Sequence, residues 1–112
     1  MAQTTGSSNV RKDSFFIATR LYGEIAAEKR YGYIDGDLGA YQQCGGWVIT
    51  YIPTGQKILA VPVNSVKIAF RKAREKIKRE PNFDKLVEQA MKSDFYKAFL
   101  KSRHDKTITQ VF

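Results

Sequence analysis

The stretch Trp47–Val63 reads W-V-I-T-Y-I-P-T-G-Q-K-I-L-A-V-P-V, and it decides the architecture of the chain. Its first six residues are β-branched, aromatic or aliphatic, and alternate side chains fall on opposite faces, which favours a β-strand. Pro53 sets φ at the corner of the next turn, and Gly55 accepts a positive φ. Residues 57–63 then form the predicted return strand. Because Pro62 has no N–H to donate, that strand lies at a sheet edge or ends there.

A basic amphipathic helix is predicted directly after the hairpin, over Asn64–Glu80. At about 100° per residue, its apolar residues form one narrow stripe: Val66, Ala69, Phe70, Ala73 and Ile77. Four cations form a row along one flank of that stripe: Lys67, Arg71, Arg74 and Lys78. Asn64 or Ser65 is the predicted N-cap. Pro81 ends the helix, since the residue before a proline disfavours the helical region.

Two further helices are predicted after Pro81. One begins near Asn82, and a second runs from Asp94 to about Arg103, with Ser93 as a new N-cap. The last helix has two apolar faces, which indicates burial on both sides, with a second subunit as one candidate neighbour. Residues 107–112, T-I-T-Q-V-F, predict a final strand that rejoins the sheet or pairs with a neighbouring chain.

Before the hairpin the pattern is weaker. Residues 15–21 predict a strand, and the Ile25–Ala27 segment fits either a strand or a short helical turn. Residues 31–46 contain five glycines and predict irregular structure with a short strand at Tyr31–Ile34. Residues 1–12 predict a flexible polar tail. Residues 13–112 therefore form one predicted α+β domain: a small antiparallel sheet with a central β-hairpin, packed by two to three C-terminal helices.

Charge and composition narrow the partners. The chain has 112 residues and a formal net charge of +8. Residues 64–80 alone contribute +5, from seven basic and two acidic residues. Such a concentration favours an anionic partner: nucleic acid, a nucleotide, an acidic protein or a membrane surface. Cys44 is the one cysteine, which favours a reducing compartment. No secretory signal and no apolar run of membrane-spanning length is present, so we expect a cytoplasmic protein and no membrane partner.

The basic helix is the leading candidate site, with a solvated surface helix as the alternative. As a site, its four-residue row would contact nucleic-acid phosphates, which give affinity without sequence information. Three more cations are expected to assist: Lys72, Arg11 and Lys12. Aromatic residues on a sheet can stack on unpaired bases. For Trp47 and Tyr51 a core position is the preferred interpretation, whereas Tyr33 and Tyr41 are the candidates for stacking.

Other chemistries are disfavoured. A helix-turn-helix interpretation of residues 65–92 is rejected because the first of its two helices is the basic one, whereas the second should read the bases. Asp35 and Asp37 resemble the start of a calcium loop, but the later ligand positions are glycines. Nothing in the sequence pairs His104 with Cys44 as a catalytic base and nucleophile. We therefore predict a protein that is not an enzyme and has no metal, no cofactor and no catalytic residue.

The hairpin G-G-W-V-I-T-Y-I-P-T-G, Gly45–Gly55, followed by a short strand and a basic helix, resembles a pattern in small bacteriophage proteins of unknown function. The resemblance covers roughly a third of the chain and implies an origin in a phage or mobile element, with action in the host cytoplasm. The resemblance therefore implies a partner such as nucleic acid, host machinery or a defence signal. The leading expectation is a nucleic-acid-binding protein. The alternative is an inhibitory or counter-defence protein that binds a host protein or a small anionic nucleotide as a homo-oligomer.

Overall fold

A computed structural model describes the backbone of residues 10–111 and the side chains of residues 10–107. Five antiparallel strands form one sheet in the order β1-β2-β3-β4-β5, so each strand pairs with its neighbours in sequence. Three helices follow, which confirms the predicted α+β class. The strands are β1 (Arg11–Leu21), β2 (Glu24–Asp35), β3 (Leu38–Gln43), β4 (Gly46–Tyr51) and β5 (Gln56–Val61), and the helices are α1 (Val66–Lys78), α2 (Phe83–Met91) and α3 (Asp94–Val111).

The predicted hairpin is confirmed as β4 and β5. Tyr51 is opposite Gln56 in the register, and the turn between them contains Gly55 with φ +72°. A register shift between Ile49 and Thr50 marks a bulge in the pair. β5 is an edge strand of the sheet, and Pro62 follows its last residue. The missing N–H of the proline therefore costs no ladder hydrogen bond.

The expectation of irregular structure over residues 31–46 is wrong. β2 extends to Asp35, and β3 occupies Leu38–Gln43. Gly36 lies in the turn between these strands with φ +63°, and Gly45 lies in the next turn with φ +80°. Gly36 and Gly45 therefore mark tight hairpin turns, and Gly39 marks a close packing contact with Phe15, so the strands between the turns remain regular.

The N-terminal boundary also differs from the prediction. β1 begins at Arg11, so Arg11 and Lys12 belong to the sheet, whereas residues 1–9 lie outside the described part of the chain. The Ile25–Ala27 segment is part of β2, which resolves the open choice between strand and helical turn. Cross-strand pairing with β1 holds this segment extended, as Ala18 is opposite Ala27.

Two hydrophobic clusters lie on opposite faces of the sheet. The sheet curls, since the Ala18 N–H of β1 donates to the Gly55 carbonyl in the turn after β4 at 2.8 Å. On the face opposite α1, the Phe15 ring lies over Gly39, where a Cβ atom would come within 2.8 Å of the ring. Phe15, Ile17 and Ile34 form this cluster. The other cluster lies between the opposite face and α1: Leu38, Ala40, Trp47, Ile49, Ala69, Phe70 and Ala73.

The helix starts follow the predicted caps. The Ser65 hydroxyl accepts a hydrogen bond from the Ile68 N–H at 3.3 Å, which satisfies one of the free donors of the first turn. The Ser93 hydroxyl accepts from the Tyr96 N–H at 3.2 Å and so begins α3. Pro81 lies between α1 and α2, as expected.

The predicted final strand at residues 107–112 is wrong. α3 continues to Val111, well beyond the predicted end near Arg103, and Phe112 lies outside the described residues. Extending an existing helix adds one hydrogen bond for each residue that is ordered, so no new nucleus is required. The Thr107 hydroxyl donates to the Arg103 carbonyl at 2.9 Å, which accommodates a β-branched residue in the helix.

The two apolar faces of α3 have neighbours within the chain. Phe99 is fully buried, and the Ser102 hydroxyl accepts a hydrogen bond from the Ala27 N–H of β2 at 2.9 Å. α3 packs against β2 on one side and against α2 on another. A second subunit is therefore not required to explain its composition.

Candidate functional site

Two polar contacts orient α1 on the sheet. Arg74 forms an ion pair with Asp35 at the end of β2, while the Lys76 ammonium donates to the Ile58 carbonyl of β5 at 2.7 Å. Because β2 and β5 lie on opposite sides of β3 and β4, one flank of α1 faces β2 and the other faces β5. The predicted basic row lies on the β2 flank. Lys67 and Arg74 are seven residues apart, which places them within about 20° of each other around the helix axis.

The four cations of the row do not have equal roles. Asp35 is only 8% exposed, and Arg74 holds its carboxylate while lying over the Phe70 ring at 5.7 Å. Arg74 is therefore bound to the protein itself. Lys67, Arg71 and Lys78 are exposed, and none forms an ion pair with any residue that the structure describes. These three residues, here called the free row, are available to an anion. Lys72 is also exposed, but the helical period places it towards the β5 flank.

An open groove of about 670 Å³ lies on the face of the sheet that carries α1, beyond the N-terminal end of the helix. Its position follows from the register, since Lys12 is opposite Tyr33 and Ser14 is opposite Tyr31. Directly opposed residues of an antiparallel pair project to the same face. The lining side chains include Lys12, Ser14, Tyr31, Tyr33, Gln42 and Trp47.

The groove and the free row are neighbours. Trp47 lines the groove, and its indole N–H donates to the Asn64 carbonyl at 3.2 Å, immediately before the Ser65 cap of α1. Lys67 lies in the first turn of α1 on the flank that faces β2, where Tyr31 and Tyr33 are located. The floor of the groove is therefore aromatic, and Lys12 on β1 is the cation that lines it. The free row begins on the neighbouring helix, one turn after the Trp47–Asn64 contact.

The structure separates Tyr41 and Arg11 from this surface. Tyr41 lies on the opposite face of the sheet, where its ring is 6.3 Å from that of Phe15 and carries the Arg30 guanidinium at 5.3 Å. Arg11 alternates with Lys12 along β1 and pairs with Asp13 at 3.5 Å. Of the nine predicted site residues, Lys67, Arg71, Arg74 and Lys78 share one flank of α1, and Lys12 and Tyr33 line the neighbouring groove.

The prediction omitted Tyr31, whereas the core position predicted for Trp47 is confirmed. Tyr31 is 77% exposed on β2, and Trp47, although 8% exposed, contributes to the groove wall. The signal in the sequence was the alternation of Tyr31 and Tyr33 with glycine between them. It identifies a strand face only when the extent of β2 is known, and five glycines in this region obscured it.

The residues considered for the alternative chemistries lie on separate elements of the fold. The Asp35 carboxylate is occupied by Arg74, and Cys44 is exposed in the turn between β3 and β4. His104 is exposed on α3. Among the described residues, no three His, Cys, Asp or Glu side chains lie close enough together to hold a metal ion.

Within residues 10–111, no helix combines the length and the apolar content that a membrane crossing requires. No protein-family model matches the chain, no curated protein matches it, and no solved structure matches it.

Proposed function

We propose that this protein binds nucleic acid without catalysing a reaction, and that the free row Lys67, Arg71 and Lys78 contacts the phosphates. The observation that carries the proposal is the geometry of this row: three exposed cations on one flank, without ion pairs among the described residues. From Lys67 to Lys78 the row extends roughly 16 Å, at 1.5 Å of rise per residue. A B-form strand places on the order of five phosphates along that length.

The local charge supports the same interpretation. α1 has the sequence V-K-I-A-F-R-K-A-R-E-K-I-K, in which six of thirteen residues are Lys or Arg and one is Glu. Arg74 and Lys76 are engaged with the sheet, so they fix the helix in place. The remaining cations then approach a ligand from a rigid surface, which lowers the entropic cost of binding.

The side chains of this surface are cations and aromatic rings, which are suited to holding phosphates and bases. The proposal therefore includes no bond-making step. It places the protein in the cytoplasm. Its origin in a phage or mobile element rests on the resemblance of the Gly45–Gly55 hairpin to small phage proteins. A phage-encoded protein would act in the cytoplasm of the host cell.

A second candidate function is a homo-oligomeric inhibitor of a host protein or a binder of a small anionic nucleotide. It is favoured by an open groove of about 420 Å³ between α1, α2 and the edge strand β5, to which Ile77, Phe83 and Leu86 contribute apolar side chains beside charged residues such as Lys57 and Glu80. Leu86 is 50% exposed, and α2 has no buried residue. Light scattering on a sizing column tests it. A stable dimer that Leu86→Glu converts to a monomer would support this candidate, and a monomeric wild type would contradict it.

Fluorescence anisotropy with labelled DNA and RNA, at several salt concentrations, tests the leading proposal. One variant carries Lys67→Glu, Arg71→Glu and Lys78→Glu. A matched control carries Lys92→Glu, Lys97→Glu and Lys101→Glu, all at exposed positions. Each variant replaces three positive charges with three negative ones, which lowers the formal net charge from +8 to +2. Only the row variant changes the proposed phosphate contacts.

We expect the row variant to lose about 100-fold or more in affinity, and its log–log salt slope to fall by roughly two to three. The control should lose only severalfold, through the general field of the protein. Equal losses in the two variants would show that net charge, and not the row, determines binding. Absence of wild-type binding at low salt would refute the proposed function.

A further inference from the structure

The groove beside α1 has a composition that phosphate binding does not require. Tyr31 projects from β2 and is 77% exposed, which is unusual for an aromatic side chain in the middle of a strand. Tyr33 lies two residues further along, on the same face. Its ring meets that of Trp47 edge-on, with 5.9 Å between the centroids and 63° between the planes. Aromatic surface thus extends from the protein core out to solvent.

The inner part of this surface is rigid. The indole N–H of Trp47 is held by the Asn64 carbonyl, and the body of the ring packs in the cluster under α1. Tyr33 packs against that same cluster. Aromatic rings that are fixed before binding lose little side-chain entropy when a ligand stacks on them.

The charge around the groove indicates a polyanion. Lys12 lines it from β1, and Lys67 and Arg71 lie on the flank of α1 that faces β2. Asp13 also borders the groove, but the register projects its side chain to the opposite face, where the carboxylate pairs with Arg11 at 3.5 Å. Cations beside an aromatic floor fit a ligand that has phosphates next to flat rings. In a duplex both faces of each base are already stacked on neighbouring bases, so only an unpaired base offers a free face.

We infer that the groove formed by Lys12, Tyr31, Tyr33, Gln42 and Trp47 binds unpaired bases, which makes the protein selective for single-stranded nucleic acid. The inference rests on the proposed function, because the free row supplies the phosphate contacts that lead the strand to the groove. Tyr31 stacks on a base from the open side, while Tyr33 and Trp47 form the floor. The Gln42 amide offers hydrogen bonds to a base edge without strong selection among bases.

The decisive probes are a labelled 20-nucleotide oligothymidine, an abasic 20-mer with the same phosphates, a 20-base-pair duplex, and a 20-nucleotide oligouridine. Oligothymidine and the abasic strand differ only in their bases. We expect wild-type protein to bind oligothymidine at least tenfold more tightly than the abasic strand, the magnitude of one or more stacked bases. The duplex should bind more weakly than oligothymidine, and oligouridine reports whether DNA and RNA share the site.

Trp47 provides an independent signal, since it is the one tryptophan in the chain. Oligothymidine should quench its fluorescence or shift its emission, and the abasic strand at equal saturation should not. This readout depends on proximity of a base to the groove, so general electrostatic attraction leaves it unchanged.

Tyr31→Ala tests the stacking contact at a position too exposed to affect folding. It should reduce the preference for oligothymidine over the abasic strand about tenfold while leaving the salt slope unchanged. Tyr22→Ala is the matched control, because Tyr22 is a fully exposed tyrosine at the distant tip of the β1–β2 hairpin. It should change neither quantity.

The outcomes separate the two proposals. Equal binding of oligothymidine and the abasic strand, or equal binding of the duplex, would overturn the groove inference while the free row remained the phosphate site. A base preference that survives in the Lys67, Arg71 and Lys78 charge-reversal variant, with unchanged affinity, would instead refute the role of the row. No response of Trp47 to any of the four probes would also overturn the groove inference.

Discussion

The two faces of the β1–β2–β3 sheet are built from alternate residues of the same strands, yet they differ in what covers them. On the face opposite α1, Phe15 lies over Gly39 and is only 5% exposed. On the other face, α1 covers the cluster around Leu38 and does not reach Tyr31. The same alternation thus buries Phe15 on one side and, beside the core under α1, leaves an open aromatic groove on the other.

The difference shows how alternate residues of the same strands are divided between a stabilising core and a surface open to a ligand. A strand pattern assigns side chains to faces, but the element that covers each face determines whether a ring is core or surface. Phe15 and Tyr31 illustrate this, at 5% and 77% exposed. The half-buried Tyr33 and Tyr41 are likewise separated by register: Tyr33 lines the groove, whereas Tyr41 packs against Phe15 beneath the Arg30 guanidinium.

The largest expected effect comes from comparing the stability cost of removing one aromatic ring from each face. Phe15→Ala should destabilise the fold by about 3–5 kcal/mol, because it leaves a cavity over Gly39. Tyr31→Ala on the open face should change stability by no more than about 0.5 kcal/mol. Urea unfolding followed by circular dichroism measures both variants. A destabilisation of Tyr31→Ala comparable with that of Phe15→Ala would contradict the assignment of Tyr31 to an open surface.

The second effect concerns the row itself, in which one anchoring cation, Arg74, lies among three free ones. Arg74→Met should cost about 1–3 kcal/mol, because it leaves the buried Asp35 carboxylate without its partner. Lys67→Met removes the same charge from an exposed site and should be nearly neutral. Adding Asp35→Asn to Arg74→Met should recover part of the loss, since the uncompensated charge is then absent. If the two single variants unfold at the same urea concentration, Arg74 is not an anchor.

A smaller effect should distinguish adjacent cations of β1. Lys12→Ala should weaken binding of oligothymidine by about threefold to fivefold, the effect of losing one phosphate contact near the groove. Arg11→Ala is the matched control, because Arg11 projects to the opposite face and pairs with Asp13. It should remain within twofold of wild type. If the two changes weaken binding equally in anisotropy titrations, the face to which a β1 cation projects does not determine its contribution to binding.

The smallest effect is at the far end of the α1 face. Burial, followed by the charges of Asp37 and Asp84, raises the pKa of the Tyr51 phenol above its usual value of 10.0. The neutral phenol is therefore favoured in the folded state. Its contribution to stability is fully present below about pH 10 and is lost as the pH rises through the folded-state pKa. In that range the free energy of unfolding of Tyr51→Phe should fall less steeply with pH than that of the wild type. Identical pH profiles of unfolding free energy, measured by urea denaturation, would rule out this linkage.

Part of the fold was predictable because its signals are local. The alternation in Trp47–Tyr51, the turn at Gly55 and the Ser65 and Ser93 caps each depend on residues within one or two turns of chain. The basic row was predictable for the same reason, since a helical period alone places its four members on one flank.

The errors came from features that distant contacts decide. Tyr22 and Cys44 each adopt a positive φ before a glycine, at 53° and 52°, and so complete two-residue hairpin turns. Such φ values are uncommon for residues other than glycine, asparagine and aspartate, so neither pair signalled a turn. Without these turns β2 was predicted too short and β3 was not predicted at all. Residues 107–111 have strand-like composition, but they continue α3, a helix anchored by the burial of Phe99.

The amino-acid sequence by itself determined the α+β class, the β4–β5 hairpin, the start of each helix and the concentration of positive charge on α1. These properties follow from backbone preferences, side-chain period and charge, which act over a few residues. Only the tertiary structure decided that Arg74 is neutralised by Asp35, that Lys12 and Tyr33 share a face with α1, and that Tyr41 does not. Those outcomes depend on strand register, sheet curl and the point where α1 ends, which are set by packing between residues far apart in the chain.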